Sequence, residues 1–129
     1  IIASFAGEGR VLVHDQRDRA HPDHLVSEQL QATLRDAVDA RGERLEVIPV
    51  PAPKTLRDHH GWVDWSYINH YVCNGAVILC AFDDENDAVA AEILQRCYPD
   101  HVIELVDARD IFAFGGGIHC ITQQQPRRG

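Results

Sequence analysis

The same order of elements is written twice into this chain, and that repetition limits its fold more than any other feature. A short apolar stretch at 3–6 leads through Gly7-Glu8-Gly9 into Arg10-Val11-Leu12-Val13-His14, which has the apolar, β-branched character of a strand behind a tight turn. From Pro22-Asp23 a helix is predicted, with Val26, Leu30, Leu34 and Val38 at four-residue steps as its buried stripe and Gly42 as its left-handed cap. Residues 45–50 read as a strand, and Pro49, Pro51 and Pro53 place it at a sheet edge, where a missing N–H is tolerated.

The second copy begins at 66–73, read as a strand, followed by the strong hairpin signal Asn74-Gly75 and a nearly all-apolar strand over 76–82. Acidic and amide residues at 83–87 predict a helix start, with Val89, Ile93 and Cys97 facing inward and Tyr98-Pro99 stopping it. A strand over 101–106, a short turn or helical piece at 107–111 and an extended segment over 118–122 complete the chain. Placing Gly75 on Gly9, a shift of 66 positions, lays Val77-Ile78-Leu79 over Val11-Leu12-Val13; in the third strands Val102 falls over Leu45. The fold class is therefore α/β, built from ββαβ modules at about 1–53 and 66–113 with a terminal segment at 114–126. One ββαβ module cannot cover its own sheet, so modules must stack, and two of them leave open edges that predict self-association into a homo-oligomer.

Between the copies, residues 54–65 carry Arg57, Asp58, His59, His60, Trp62, Asp64 and Trp65 without a usable period. This reads as a solvated loop or lid with two aromatic anchors, in preference to a metal or acid–base site.

At 129 residues, 45% of them hydrophobic, the chain has the length and apolar content of one domain. Its first residue is Ile1, with no signal-peptide pattern after it, so processing or truncation is expected. No apolar run approaches the roughly 18 residues of a membrane span, and a formal charge of −8 works against a nucleic-acid partner while favouring cationic ligands. Cysteines at 73, 80, 97 and 120 form no C-x-x-C pair, so neither a metal nor another cofactor is expected. Cys73, Cys80 and Cys97 lie in apolar surroundings and read as buried thiols of a cytoplasmic protein.

Cys120 differs, since it follows Gly115-Gly116-Gly117 and has His119 before it. Three glycines let a backbone approach a ligand closely, but composition and spacing leave the structural and the nucleophilic readings of Cys120 open. If 118–122 is extended, adjacent side chains point to opposite faces, so His119 is read as a structural histidine and not as the base for Cys120.

Residues 115–126, Gly-Gly-Gly-Ile-His-Cys-Ile-Thr-Gln-Gln-Gln-Pro, resemble the carboxy-terminal signature of the agmatine deiminase and bacterial peptidylarginine deiminase family. Ser66-Tyr67-Ile68-Asn69, Asn74-Gly75-Ala76-Val77, Phe82-Asp83 with Asn86-Asp87, and Asp107-Ala108-Arg109-Asp110-Ile111 resemble it too. Gly117 stands where the family usually carries an asparagine. The resemblance implies the pentein-type α/β propeller of five ββαβ modules, of which about two are present here. It implies hydrolysis of a guanidino group, agmatine to N-carbamoylputrescine and ammonia or peptidyl arginine to citrulline, through a covalent amidino-cysteine. Cys120 would be the nucleophile on the strand at 114–126, Gly115, Gly116 and Gly117 a loop on the substrate, and the partner a small cationic guanidino compound, most readily agmatine. A related amidinotransferase would share the intermediate but pass it to an amine.

In that family a His-x-Asp supplies the acid and base, two residues before the segment that Ala3 to Val13 resembles. None of His14, His21, His24, His59, His60, His70 or His101 stands at that place, ahead of Ala3. The chain alone is therefore expected to be inactive, and the alternative is a catalytically incomplete module with a structural or partner-binding role.

Overall fold

The computed structural model describes residues 1–126 and contains two three-stranded sheets of the same topology. In the first, β1 (Ala3–Phe5) runs antiparallel to β2 (Arg10–Asp15), and α1 (His24–Asp36) carries the chain over to β3 (Glu46–Pro51), parallel to β2. A two-stranded hairpin, β4 (Arg57–Asp58) with β5 (Gly61–Trp62), lies between the units. In the second sheet β6 (Tyr71–Cys73) pairs antiparallel with β7 (Ala76–Ala81), and α2 (Asn86–Cys97) crosses to β8 (Val102–Asp107), parallel to β7. A short α3 (Arg109–Phe112) and a 3₁₀ turn (Ile118–Ile121) follow.

Both hairpins form where glycine supplies the left-handed backbone: φ is +69° at Gly9 and +76° at Gly75. β3 is an edge strand, as its prolines require. The registers refine the repeat by one residue. Arg10 faces Glu46 and Ala76 faces Val102, so Glu46, not Leu45, is the counterpart of Val102.

Other expectations are corrected. Residues 66–70 are a buried turn, and only Tyr71–Cys73 of that stretch is strand. α1 stops at Asp36, and Gly42, with φ at +82°, serves a separate tight turn tied to Asp39. Its apolar stripe is not the buried face: Val26 and Val38 are 44% and 56% exposed, while Ser27 and Gln31 point inward. The reason is what lies beneath. Ser27 Oγ accepts the Gln16 N–H at 3.1 Å, and the Gln31 amide donates to Asp15 Oδ1 at 2.8 Å, so α1 is fastened to β2 by polar groups. His21 accepts the Asp23 N–H at Nδ1, which leaves Nε2–H to donate to the Val63 carbonyl at 2.9 Å.

α2 packs against β8 of its own unit and against β3 of the other, burying Ala90, Ile93, Leu94 and Cys97. Val89, expected inside, is 42% exposed. The core is continuous from Leu12 and Val50 through Trp65, Tyr67 and Ile68 to Val77, Leu79, Phe82 and Phe112. Trp65 stacks on Phe82 with ring centres 4.9 Å apart, so the second aromatic anchor is buried; the first, Trp62, stays near the surface under the Arg57 guanidinium.

Asp84 and Asn86 tie the second unit to the end of the first and to the segment that follows it, and Asp87 braces the turn that carries them. Asp84 accepts backbone N–H groups of Lys54, Thr55 and Asn86 at 2.9–3.0 Å, while the Asn86 amide donates to the Ala52 carbonyl at 2.6 Å. Asp87 accepts the N–H groups of Phe82 and Asp84 and the Tyr67 hydroxyl, the last at 2.7 Å. Burial opposes the charge on Asp84, but its backbone donors outweigh that and hold the carboxyl below its ordinary value. Among the described residues no helix is long and apolar enough to cross a membrane.

Candidate active site

Cys120 sits in a single 3₁₀ turn, not in the extended segment expected for 118–122. α3 ends against the core through Phe112, and Gly115, with φ at +92°, reverses the chain so that Ile118 can bury and anchor the turn. The Cys120 N–H closes onto the Gly117 carbonyl at 3.0 Å, and the Thr122 hydroxyl donates to the His119 carbonyl at 3.0 Å.

Four free thiols occupy different environments. Cys80 and Cys97 are buried and Cys73 half-buried, whereas Cys120 is exposed. Burial pushes the Cys80 thiol up to about 11 and also raises Cys97. Cys120 is held below the ordinary thiol range, first by the Asn69 side-chain amide and next by the Gly117 backbone. The Asn69 Nδ2 donates to Cys120 Sγ at 3.3 Å. Of the four thiols, only Cys120 is both exposed and shifted toward the thiolate.

The glycines before it are needed for close packing. A Cβ on Gly116 would lie 3.0 Å from Cys120 Sγ, and one on Gly117 only 2.6 Å from Asn69 Cγ and 2.7 Å from Phe112. Gly117 therefore has no room for the asparagine usual at that place in the resembled family, as long as Asn69 keeps its position. Gly115 is exposed and Gly116 half-exposed, and both line a cavity of about 420 Å³ with Asp110, Ile111, Phe114, Cys120 and Ile121. That cavity is mostly apolar with one carboxylate, an arrangement able to admit a small cation beside the sulfur.

His119 is exposed, and its ring makes no hydrogen bond among the described residues; its backbone is used, the N–H donating to Asn69 Oδ1 at 2.8 Å and the carbonyl accepting from Thr122. The structural role expected for its side chain is not what the turn provides. His70, nearby, is buried against Tyr98 and the Tyr67 carbonyl, and burial lowers it. His59 and His60 lie against each other with tilted rings in the exposed β4–β5 hairpin. No group of three His, Cys, Asp or Glu side chains able to hold a metal ion occurs among the described residues.

Sequence reasoning missed Asn69 and Asp110 as neighbours of Cys120, and Phe112 as a neighbour of Gly117. The available signal was Asn69 itself, a polar residue in a run of inward-facing positions, which the reading of 66–73 as a strand concealed.

The family described as Porphyromonas-type peptidyl-arginine deiminase matches residues 1–126. A Streptomyces coelicolor protein named "Putative agmatine deiminase" is 62% identical over 128 residues, 98% of this chain and 38% of its own length. The agmatine deiminase of Pseudomonas aeruginosa strain LESB58 is 36% identical over 140 residues, 95% of this chain and 38% of its own. Among solved structures, the agmatine deiminase of Enterococcus faecalis superposes with a TM-score of 0.90 at 29% identity, covering 99% of this chain and 40% of that one. The chain thus spans about two fifths of the length of the relatives it matches. Shared over nearly all of its length with proteins of that kind, the two-sheet architecture is part of their pentein-type α/β propeller, and the chain belongs to the Porphyromonas-type peptidyl-arginine deiminase family.

Proposed function

We propose that this chain is the part of a guanidine-hydrolysing enzyme that carries the nucleophile, Cys120, and that agmatine is preferred to peptidyl arginine. The observation that carries the reading is the exposed thiol of Cys120, held below its ordinary pKa beside a cavity with one carboxylate. The preference for agmatine rests on the names of the Streptomyces and Pseudomonas relatives.

In this mechanism the Cys120 thiolate attacks the guanidinium carbon, a C–S bond forms, and one C–N bond breaks as its nitrogen takes a proton and leaves as ammonia. Water then adds to the amidino carbon, the C–S bond breaks, and the ureido product departs with the thiolate restored. Gly115 and Gly116 shape the wall along which the substrate lies, and a cationic substrate itself favours the thiolate over the thiol. The proton shuttle is assigned to the family's His-x-Asp; the one such spelling in this sequence, His21-Pro22-Asp23, follows the segment from Ala3 to Val13 instead of preceding it.

The test is ammonia release from agmatine, from arginine and from an arginyl peptide, with this chain and with the longer polypeptide that contains it. The longer protein is expected to release ammonia fastest from agmatine, the chain alone not at all. C120S should lower turnover by about 10³-fold or more and abolish a substrate-derived adduct on the peptide containing residue 120. Turnover by C120S near the parent rate, or ammonia from neither protein, would sink the reading; product formation only with an added amine would move it to an amidinotransferase.

A further inference from the structure

We infer that Asn69 is a positioning residue for Cys120, one amide that fixes the turn carrying the cysteine and presents a donor to its sulfur. This rests on the nucleophile reading above. Asn69 is 2% exposed and belongs to the buried turn at 66–70, far from Cys120 in sequence. Its own backbone is secured twice: its N–H donates to the Ser66 carbonyl at 3.2 Å, and its carbonyl accepts the Cys80 S–H at 2.7 Å. The side chain therefore projects from a rigid platform in the core.

The direction of the amide follows from its partners. The His119 N–H can only donate, so the atom 2.8 Å from it must be the acceptor Oδ1. The other end, Nδ2, then faces Cys120 Sγ at 3.3 Å. A donor at that place favours the anionic sulfur, and the same amide stops the turn from rotating the sulfur away. Gly117 completes the arrangement by absence, since any side chain there would meet the Asn69 amide and the Phe112 ring. Asn69 and Gly117 should thus behave as a coupled pair.

The experiment measures alkylation of Cys120 by iodoacetamide, resolved by mass spectrometry of the peptide that contains it, across neutral to mildly alkaline pH in the full-length enzyme. The native protein is expected to alkylate with a midpoint below that of a free cysteine peptide. N69A should move the midpoint up and slow alkylation at neutral pH severalfold, while kcat for agmatine falls and KM stays close to its native value. G117A, which leaves the amide in place but crowds it, should move the midpoint the same way and add little when combined with N69A. A native midpoint at or above that of the free peptide overturns the inference without any variant. So does an unchanged midpoint in both variants, which would reduce Asn69 to a packing role. Failure of the nucleophile reading has a different signature, an absence of turnover and of adduct in the native enzyme whatever the thiol profile.

Discussion

The two ββαβ units share strand order, strand direction and crossover, yet their helices are seated on different chemistry. The first unit keeps His14, Gln16, His21, Ser27 and Gln31 buried around α1, while the second buries Val77, Leu79, Cys80 and Phe82 under α2. Topology here is set by turns and by alternation of strand and helix, which both units possess; the filling follows from surroundings. α2 is wedged between two sheets and must be apolar on both sides, whereas α1 lies against one sheet and can be fastened by hydrogen bonds.

The sharpest way to break this comparison is a matched pair of truncations. Leu79 is fully buried, and L79A should cost about 2–5 kcal/mol by lost transfer energy and cavity formation. L30A, on the half-buried stripe of α1, should cost clearly less. Equal shifts in urea midpoint would mean that the units are equally dependent on apolar packing.

Acid should separate the units next. Burial pushes the His14 imidazole down from 6.5 to about 4; Asp23 and Asp15 pull it up and are outweighed, and His21 pushes it further down. The unfolded chain binds a proton near the ordinary value and the folded chain does not, so His14 contributes nothing adverse above pH 6.5. Its cost grows as pH falls from 6.5 toward 4, reaching about 3 kcal/mol at most. H14Q should therefore flatten the difference in melting temperature between neutral and mildly acidic buffer. Parallel pH profiles for native protein and H14Q would remove this distinction between the units.

A smaller effect is expected at Ser27, whose hydroxyl accepts the Gln16 N–H. S27A leaves that buried donor unpaired and should cost about 1–2 kcal/mol in thermal unfolding. The exchange is apolar for polar on a helix face, so a neutral or stabilising result would show that the polar filling of the first unit is incidental.

These contrasts mark where the sequence could be read. The β1–β2 and β6–β7 hairpins and the order of strand and helix in each unit follow from local rules that operate within a few residues, such as Asn74-Gly75 and the apolar run of β7, whereas the small β4–β5 hairpin lies in a stretch read as a loop. The inward face of α1 did not, because periodicity reports where apolar residues are and not whether a neighbour exists to cover Val26 and Val38. The 3₁₀ turn was hidden for another reason: Ile118, Cys120 and Thr122 alternate as in a strand, and only the fit of Gly117 against Asn69 and Phe112 bends them otherwise. Cys120 was visible through its motif, but Asn69 lies 51 positions away and becomes its neighbour only after folding.

The seam between the units has a further consequence for how the molecule responds to ionic strength. Asp84 is held there by main-chain N–H groups and a threonine hydroxyl, not by lysine or arginine. Dissolved salt weakens contacts between solvated charges such as Lys54 and Glu85, yet it has little purchase on a carboxylate held by neutral backbone donors. The joint between the two sheets should thus hold in concentrated electrolyte that strips the protein's surface of its ion pairs.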